Sequence, residues 1–319
     1  MGSEAPFQLP VVDFSQLNKQ NPDNLIIWES AKTKALAALE EYGCFEATFD
    51  QISPNLQNTV FDELGRLFDL PLDIKQKNTS DREFHGYIGQ IPFMPLYESM
   101  GIDAPYILEK VQKFTDLMWP DQGNTKFSNS IHTYSKKLWE LDGMVKKMVF
   151  EGLNLTKYLK EHLEATNYHL KVMKYRAAEA SESTMGLDSH ADTSILTILH
   201  QNGVQGLELR TKDGDWITVN VSPNSFVVMA GESFNALSNG RLHAPFHRVV
   251  MNANKTRLSV GLFSMPRIGM IVKPPKEMVD EEHPLLFKPF DYGEFMDYFC
   301  MAGVKKDTYG LKTYCGLPV

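Results

Sequence analysis

The sequence predicts an α+β protein: an α-rich N-terminal region laid over a β core of sandwich, barrel or double-sheet jelly-roll type, closed by a C-terminal helix. Three observations predict it. Apolar residues recur at helical spacing through much of the first half. From Tyr168 the texture changes to short β-rich runs separated by turn signals such as Lys212-Asp213-Gly214-Asp215 and Ser238-Asn239-Gly240. The late aromatic stretch "FDYGEFMDYFCMAG" then returns to helical spacing. Several short strands in succession bury their inner faces only by folding two sheets together or closing one. At 319 residues and 43% hydrophobic, the chain is long enough to bury a sizeable core.

Along the chain, "LPVVDFS" reads as a short strand. "NLIIWESAKTKALAALEEYG" puts Ile27, Ala31, Ala35 and Leu39 on one helical face and stops at Gly43. "ISPNLQNTVFDELGRLFDLP" is a second amphipathic helix, ended by Pro71, which cannot continue it. Further helix runs from Ser128 to Leu163, with Leu138, Leu141, Val145 and Met148 in one stripe. The strands then follow: "NYHLKVMKYRA", "TSILTILHQ", "GLELRTKDGDWITV", "SFVVMAGES", "HRVVMN" and "RLSVGLFSMP". The expected division is residues 1–165 as α-rich cover and 166–319 as the β domain with its closing helix.

Net charge is −8 and no basic cluster is present, which excludes the electrostatic footprint for nucleic acid or an anionic membrane. A small molecule is the expected partner. Cys44, Cys300 and Cys315 are few and far apart, as in a reducing compartment, and lack the spacing of a disulfide framework. The opening residues show no secretory leader, and Pro6 stands where myristoylation needs Ser or Thr. No apolar run reaches membrane-spanning length. The expectation is a cytoplasmic monomer, with the Asn154-Leu155-Thr156 sequon a chance match.

The chemistry centres on "LDSHADTSILTILHQ". His190 and Asp192 lie two residues apart, which on a strand aims both side chains to one face. Alone the pair is weak evidence, since His162-Leu163-Glu164 repeats the spacing in a helical stretch, where such residues diverge. His247 opens a later strand, and ten residues beyond it Arg257 and Ser259 form a second pair sharing a face. Two histidines and one carboxylate with open positions are the ligand set of non-haem Fe(II) oxygenases. The same donors also suit a zinc hydrolase. Arginine supplies a rigid two-pronged donor for the carboxylate of an oxo-acid co-substrate. His243 precedes His247 by four residues, but Pro245 between them argues for a loop rather than a helical zinc pair.

The motifs "HAD", "HRV" and "RLS" at these intervals resemble the plant 2-oxoglutarate- and Fe(II)-dependent dioxygenases, whose core is a double-stranded β-helix, or jelly roll. "EEYGCFEA", "LFDLPLDIKQKN", "HGYIGQ", "PLYESMGID", "NGRLHAPFHRVV" and "DEEHPLLFKPFDYGEF" extend the resemblance over nearly the whole chain. They point to the branch holding the AOP-type enzymes of glucosinolate modification and the related steroidal glycoalkaloid hydroxylases. The resemblance implies that His190, Asp192 and His247 hold iron and act as the catalytic centre. Arg257 and Ser259 would bind the far carboxylate of 2-oxoglutarate, with Tyr175 touching it as well. The asparagine that usually precedes that tyrosine by two is Met173 here, whose thioether donates no hydrogen bond. The implied reaction consumes O2 and 2-oxoglutarate, releases succinate and CO2 and hydroxylates a small specialised metabolite, with ascorbate as a compatible reductant. Asp192 argues against halogenation, because halogenating relatives carry Gly or Ala there.

Desaturation or dealkylation needs the same residues, and an ethylene-forming-type oxidase keeps the same triad. A jelly-roll binding protein without catalysis is a further alternative, disfavoured by the intact motifs. Met94, Tyr97 and Met100 in a Pro-rich stretch, and Phe295, Met296 and Phe299 on the closing helix, are candidate substrate contacts. Covering the core is the competing reading of both groups. Cys44 reads as a small buried hydrophobe and His85 and His169 as structural histidines, while Glu232 carries no assigned role.

Overall fold

The computed structural model describes residues 8–17, 24–252, 254–302 and 308–318. The N-terminal part runs β1 (Val11–Asp13), α1 (Asn24–Glu41), β2 (Cys44–Thr48), α2 (Pro54–Phe68), α3 (Leu72–Lys75) and β3 (Tyr97–Asp103). Helices α4 (Leu108–Met118), α5 (Thr125–Gly152) and α6 (Thr156–Glu164) follow. The β-rich part holds β4 (Thr166–Tyr175), β5 (Met185–His190), β6 (Leu196–Gln201), β7 (Leu207–Arg210), β8 (Trp216–Thr218) and β9 (Ser225–Ala230). After α7 (Glu232–Leu237) come β10 (His247–Val250), β11 (Arg257–Pro266), β12 (Ile271–Val272) and β13 (Phe290–Asp291). Helices α8 (Tyr292–Ala302) and α9 (Gly310–Cys315) close the chain's described part.

Seven strands form one sheet in the order β1-β2-β9-β6-β11-β4-β3, and four form a second in the order β5-β10-β7-β8. The large sheet is covered on both faces. Met100, Ile102, Leu170, Val172, Val260 and Leu262 meet the helices on one side. Residues of opposite parity, among them Tyr97, Met173, Tyr175 and Leu199, meet Leu207, Leu209 and Val249 of the small sheet on the other. Burial on both faces explains why "LTILHQ" and "SFVVMA" read as apolar runs and not as alternating strands, every position being buried. This double-sheet core is the jelly roll that the sequence implied, and the architecture is α+β as expected.

The helical layer rests on α5, whose stripe Leu138, Leu141, Val145 and Met148 is fully buried. Each such side chain contributes about 1.5–3 kcal/mol by leaving water. The expected helix over residues 128–163 is two helices. Asn154 between α5 and α6 takes a left-handed φ of 59°, which asparagine tolerates better than most residues. Helix α2 starts where Ser53 accepts a hydrogen bond from the Leu56 amide at 3.3 Å, and it ends before Pro71.

Strands β2, β3 and β5 and helix α4 were not anticipated. The cover region therefore supplies three strands, β1, β2 and β3, to the large sheet. In β3, Gly101 permits a close approach: a Cβ there would lie 2.2 Å from the His85 carbonyl oxygen. The expectation about a leader falls on residues 1–7, outside the described residues. Among the described residues no helix is long and apolar enough to cross a membrane.

Candidate active site

His190 ends β5 and His247 begins β10, and antiparallel pairing sets the two directly opposite each other. Their rings lie 4.2 Å apart, centre to centre. Asp192 is not on the strand, as its spacing from His190 implied, but in the loop beyond it. That loop is pinned at three points. The Glu232 amide donates to the Asp192 carbonyl at 2.7 Å, the Ser233 hydroxyl to the Thr193 carbonyl at 2.6 Å, and the Thr197 hydroxyl to Asp192 Oδ2 at 2.6 Å. The loop returns the carboxylate between the rings, so Asp192 Oδ1 lies 3.7 Å from Nε2 of both histidines.

That distance is too long for hydrogen bonds and close to the separation of ligands sharing one metal ion. The other ring nitrogens are committed. His190 Nδ1–H donates to the Asp188 carbonyl at 2.8 Å and His247 Nδ1–H to the Pro245 carbonyl at 3.3 Å. A carbonyl only accepts, so each ring carries its proton on Nδ1 and offers the Nε2 lone pair to the centre. Enclosure and the neighbouring His247 hold His190 well below the ordinary histidine range, in the neutral form a metal requires. The donor set, its tautomers and the Thr197 bond on the spare carboxylate oxygen all fit Fe(II).

A second constellation shares the interior. On β11 and β4, Arg257 pairs with Tyr175 and Ser259 with Met173, and β6 places Gln201 beside Ser259. Arg257 is 1% exposed, and no carboxylate lies within ion-pair distance of it among the described residues. It donates to Gln201 Oε1 from Nε at 3.2 Å and from Nη2 at 2.9 Å, and to the Ser259 hydroxyl from Nη1 at 3.1 Å. Its guanidinium stacks 5.1 Å from the Tyr175 ring centre. Burial pushes the Tyr175 phenol up to about 12, so it stays protonated and donates. Its hydroxyl meets the Met173 thioether at 3.7 Å and lies within reach of the Arg257 guanidinium. A buried guanidinium, a phenol and a serine hydroxyl thus converge without an anion.

The comparisons with known proteins agree with this geometry. The family model described as "2OG-Fe(II) oxygenase superfamily" matches residues 160–266. One described as "non-haem dioxygenase in morphine synthesis N-terminal" matches residues 9–92. The Arabidopsis thaliana protein named "Probable 2-oxoglutarate-dependent dioxygenase AOP1.2" is 48% identical over 92% of this chain and 91% of its own. The chain belongs to the 2OG-Fe(II) oxygenase superfamily.

Within it, "2-oxoglutarate-dependent dioxygenase AOP3" of Arabidopsis thaliana is 31% identical over 99% of both chains. Among solved structures, the rice dioxygenase for auxin oxidation superposes with a TM-score of 0.81 at 25% identity, over 97% of this chain and 100% of that one. The complex of JOX2 with 2OG, Fe and JA gives a TM-score of 0.80 at 22% identity, over 98% of this chain and 90% of that one, and shows the shared fold. The protein is a 2-oxoglutarate-dependent dioxygenase of the AOP-like branch, an oxidoreductase with Fe(II) as its metal.

The remaining candidates separate in the oxygenase. Tyr97 is buried in the row of Tyr175 and Arg257, its ring 5.2 Å from that of Tyr175, and Met94 packs against the same cluster. Met100 has the opposite parity and lies in the core facing the helices. Phe299 packs edge-on against Phe295, 6.0 Å away, in a separate C-terminal cluster. His162 sits on α6 against Phe150, away from any metal geometry, as its helical setting implied. His85 and His169 both contact Asp103 Oδ1 through Nδ1, at 2.7 and 2.8 Å. These direct contacts make a second His-Asp-His cluster, apart from the first. Sequence reasoning missed Thr197 and Gln201, which hold Asp192 and Arg257. Their inward parity on β6 was the available signal, masked by the apolar run around them.

Proposed function

We propose that His190, Asp192 and His247 hold Fe(II), that Arg257, Ser259 and Tyr175 hold the far carboxylate of 2-oxoglutarate, and that the enzyme hydroxylates a small organic molecule beside them. The observation that carries this reading is the buried Arg257 without an anion, facing the same interior as the histidine pair and Asp192. When bound, the iron and 2-oxoglutarate supply the O2-dependent oxidation, with succinate and CO2 as co-products.

The chain's own residues provide position and charge. The Asp188 and Pro245 carbonyls keep both imidazoles in the tautomer that points Nε2 inward. Thr197 fixes one oxygen of Asp192 and leaves the other toward the rings. Gln201 anchors Arg257 from one side, leaving its remaining N–H groups, the Ser259 hydroxyl and the Tyr175 phenol for a carboxylate. Met173 offers no donor, so the oxo-acid end of the co-substrate is held without the amide that relatives use there. A carboxylate at position 192 occupies the place a halide would need, which favours hydroxylation over halogenation.

Residues 1–165 serve in this reading as cover for the catalytic region, 166–319. The dispersed cysteines, two of them buried, favour a reducing cytoplasmic setting. Light scattering is expected to report a monomer.

Anaerobic addition of Fe(II) and 2-oxoglutarate should produce a visible metal-to-ligand charge-transfer band, and succinate should form only when 2-oxoglutarate is present. Asp192→Ala should abolish both. A protein that binds no Fe(II), or an Asp192→Ala variant with intact turnover, sinks the proposal.

A further inference from the structure

Lys171 lies on β4 with the inward parity of Met173 and Tyr175, in register with Gly101 of β3 and Gly261 of β11. A lysine in a strand ordinarily reaches for water, but this one shares the parity of the residues between the sheets and lies within electrostatic reach of Asp192 and His190. It remains partly accessible, and so does the His190 ring. Among the described residues no carboxylate pairs with it. Asp103, beyond the neighbouring His169, instead meets two histidines through Oδ1. Among the described residues its close partner is a ring: Phe84 lies 5.6 Å from Nζ, a cation–π contact that shelters the charge without neutralising it. Phe84 itself is 47% exposed and holds a left-handed φ of 65°, a conformation that costs a bulky residue energy.

Charge accounting points to what is missing. With the enzyme loaded, the two charges of Fe(II) and the one on Arg257 are matched by Asp192 and the two carboxylates of 2-oxoglutarate. The Lys171 ammonium takes no part in that match and has no acidic side chain paired with it among the described residues, and burial already pushes it down to about 8. A charge drawn partly out of water in this way is held at a cost unless an opposite charge joins it. The strand also separates it from the Arg257 end. Four residues at about 3.3 Å each place its Cα some 13 Å from that of Tyr175.

We propose, building on the function above, that the substrate is a small organic oxyanion (a carboxylate, sulfate or sulfonate) whose charged group sits on the Lys171 ammonium beside Phe84. That contact aligns the rest of the molecule toward His190 and His247.

The test uses the enzyme loaded anaerobically with Fe(II) and 2-oxoglutarate, reading perturbation of the charge-transfer band. Hexanoate, hexyl sulfate and 4-phenylbutyrate are titrated against hexanamide, hexanol and 4-phenylbutyramide. At least one anion should bind tenfold or more tightly than its neutral partner. Lys171→Met should erase that preference, Lys171→Arg should keep it, and the Fe(II) and 2-oxoglutarate titrations should match wild type in both. A wild type with no anion preference, or a preference that survives Lys171→Met, overturns the proposal. So does a Lys171→Met variant with weakened 2-oxoglutarate binding, since the amine then serves the co-substrate. If wild type gives no charge-transfer band, the iron and 2-oxoglutarate reading has failed and this inference falls with it. A normal band without anion preference removes the substrate class alone.

Discussion

Thr197→Val is the most direct test of how this chain holds its metal. Thr197 is 1% exposed, and its hydroxyl lies 2.6 Å from Asp192 Oδ2 and 3.1 Å from the Ser194 hydroxyl. Valine has nearly the same shape, so no cavity opens, but Asp192 loses the contact that fixes its rotation. A hydrogen bond to a charged group is worth about 1.5–3 kcal/mol, and about 1.4 kcal/mol is a factor of ten in affinity. Fe(II) binding should therefore weaken by about tenfold to a hundredfold, the range typical of residues that orient a metal ligand. Anaerobic Fe(II) titration at saturating 2-oxoglutarate, followed at the charge-transfer band, gives the affinity, while urea unfolding of the metal-free protein gives the stability. The reasoning is refuted if Fe(II) affinity stays within about twofold of wild type while stability alone falls, for then Thr197 serves only the fold.

Three further outcomes follow from the same geometry. Arg257→Lys keeps the charge but loses the fork that spans Gln201 and Ser259, so 2-oxoglutarate should bind about ten- to a hundredfold more weakly, read from its titration of the same band. His200 is buried against Phe61 and Phe226 and is pushed down from 6.5 to about 4 by that burial. Its folded-state value is lowered, so its contribution is complete above pH 6.5 and is lost as pH falls toward 4. That amounts to about 2 kcal/mol between pH 7 and 5. His200→Phe should flatten the acid side of the urea stability profile by this amount, and an unchanged slope contradicts the assignment. Asn239 donates to the Met278 and Pro284 carbonyls at 3.0 and 3.1 Å, accepts from the Leu286 amide at 2.9 Å and holds φ at 50°. Asn239→Ala should cost about 2–3 kcal/mol of stability with Fe(II) affinity unchanged.

What could be read in advance depended on whether a residue's role follows from its own strand. Arg257 and Ser259 could be placed together because they lie two apart on the long strand β11, and the observed register sets Tyr175, expected from its interval in the resembling family, opposite Arg257. His190 and Asp192 do come together, but for a reason other than the expected one. Strand parity does not bring them together, since His190 is the last residue of β5 and Asp192 lies in the loop after it. The loop's bonds to Glu232, Ser233 and Thr197 do that, and none of them has a spacing signature. Strand β5 itself, "MGLDSH", shows no apolar alternation and is defined by β10 across from it. Lys171 was illegible for the opposite reason. A lysine amid strand residues ordinarily marks the wet face, and only the register with Gly101 and Gly261 shows that this one faces the catalytic interior. The residues proposed for iron and 2-oxoglutarate repeat a shared chemistry and so carry motifs. A residue that selects the substrate has no such pattern to repeat, and it emerges only once the sheets are paired and the charges around the metal are counted.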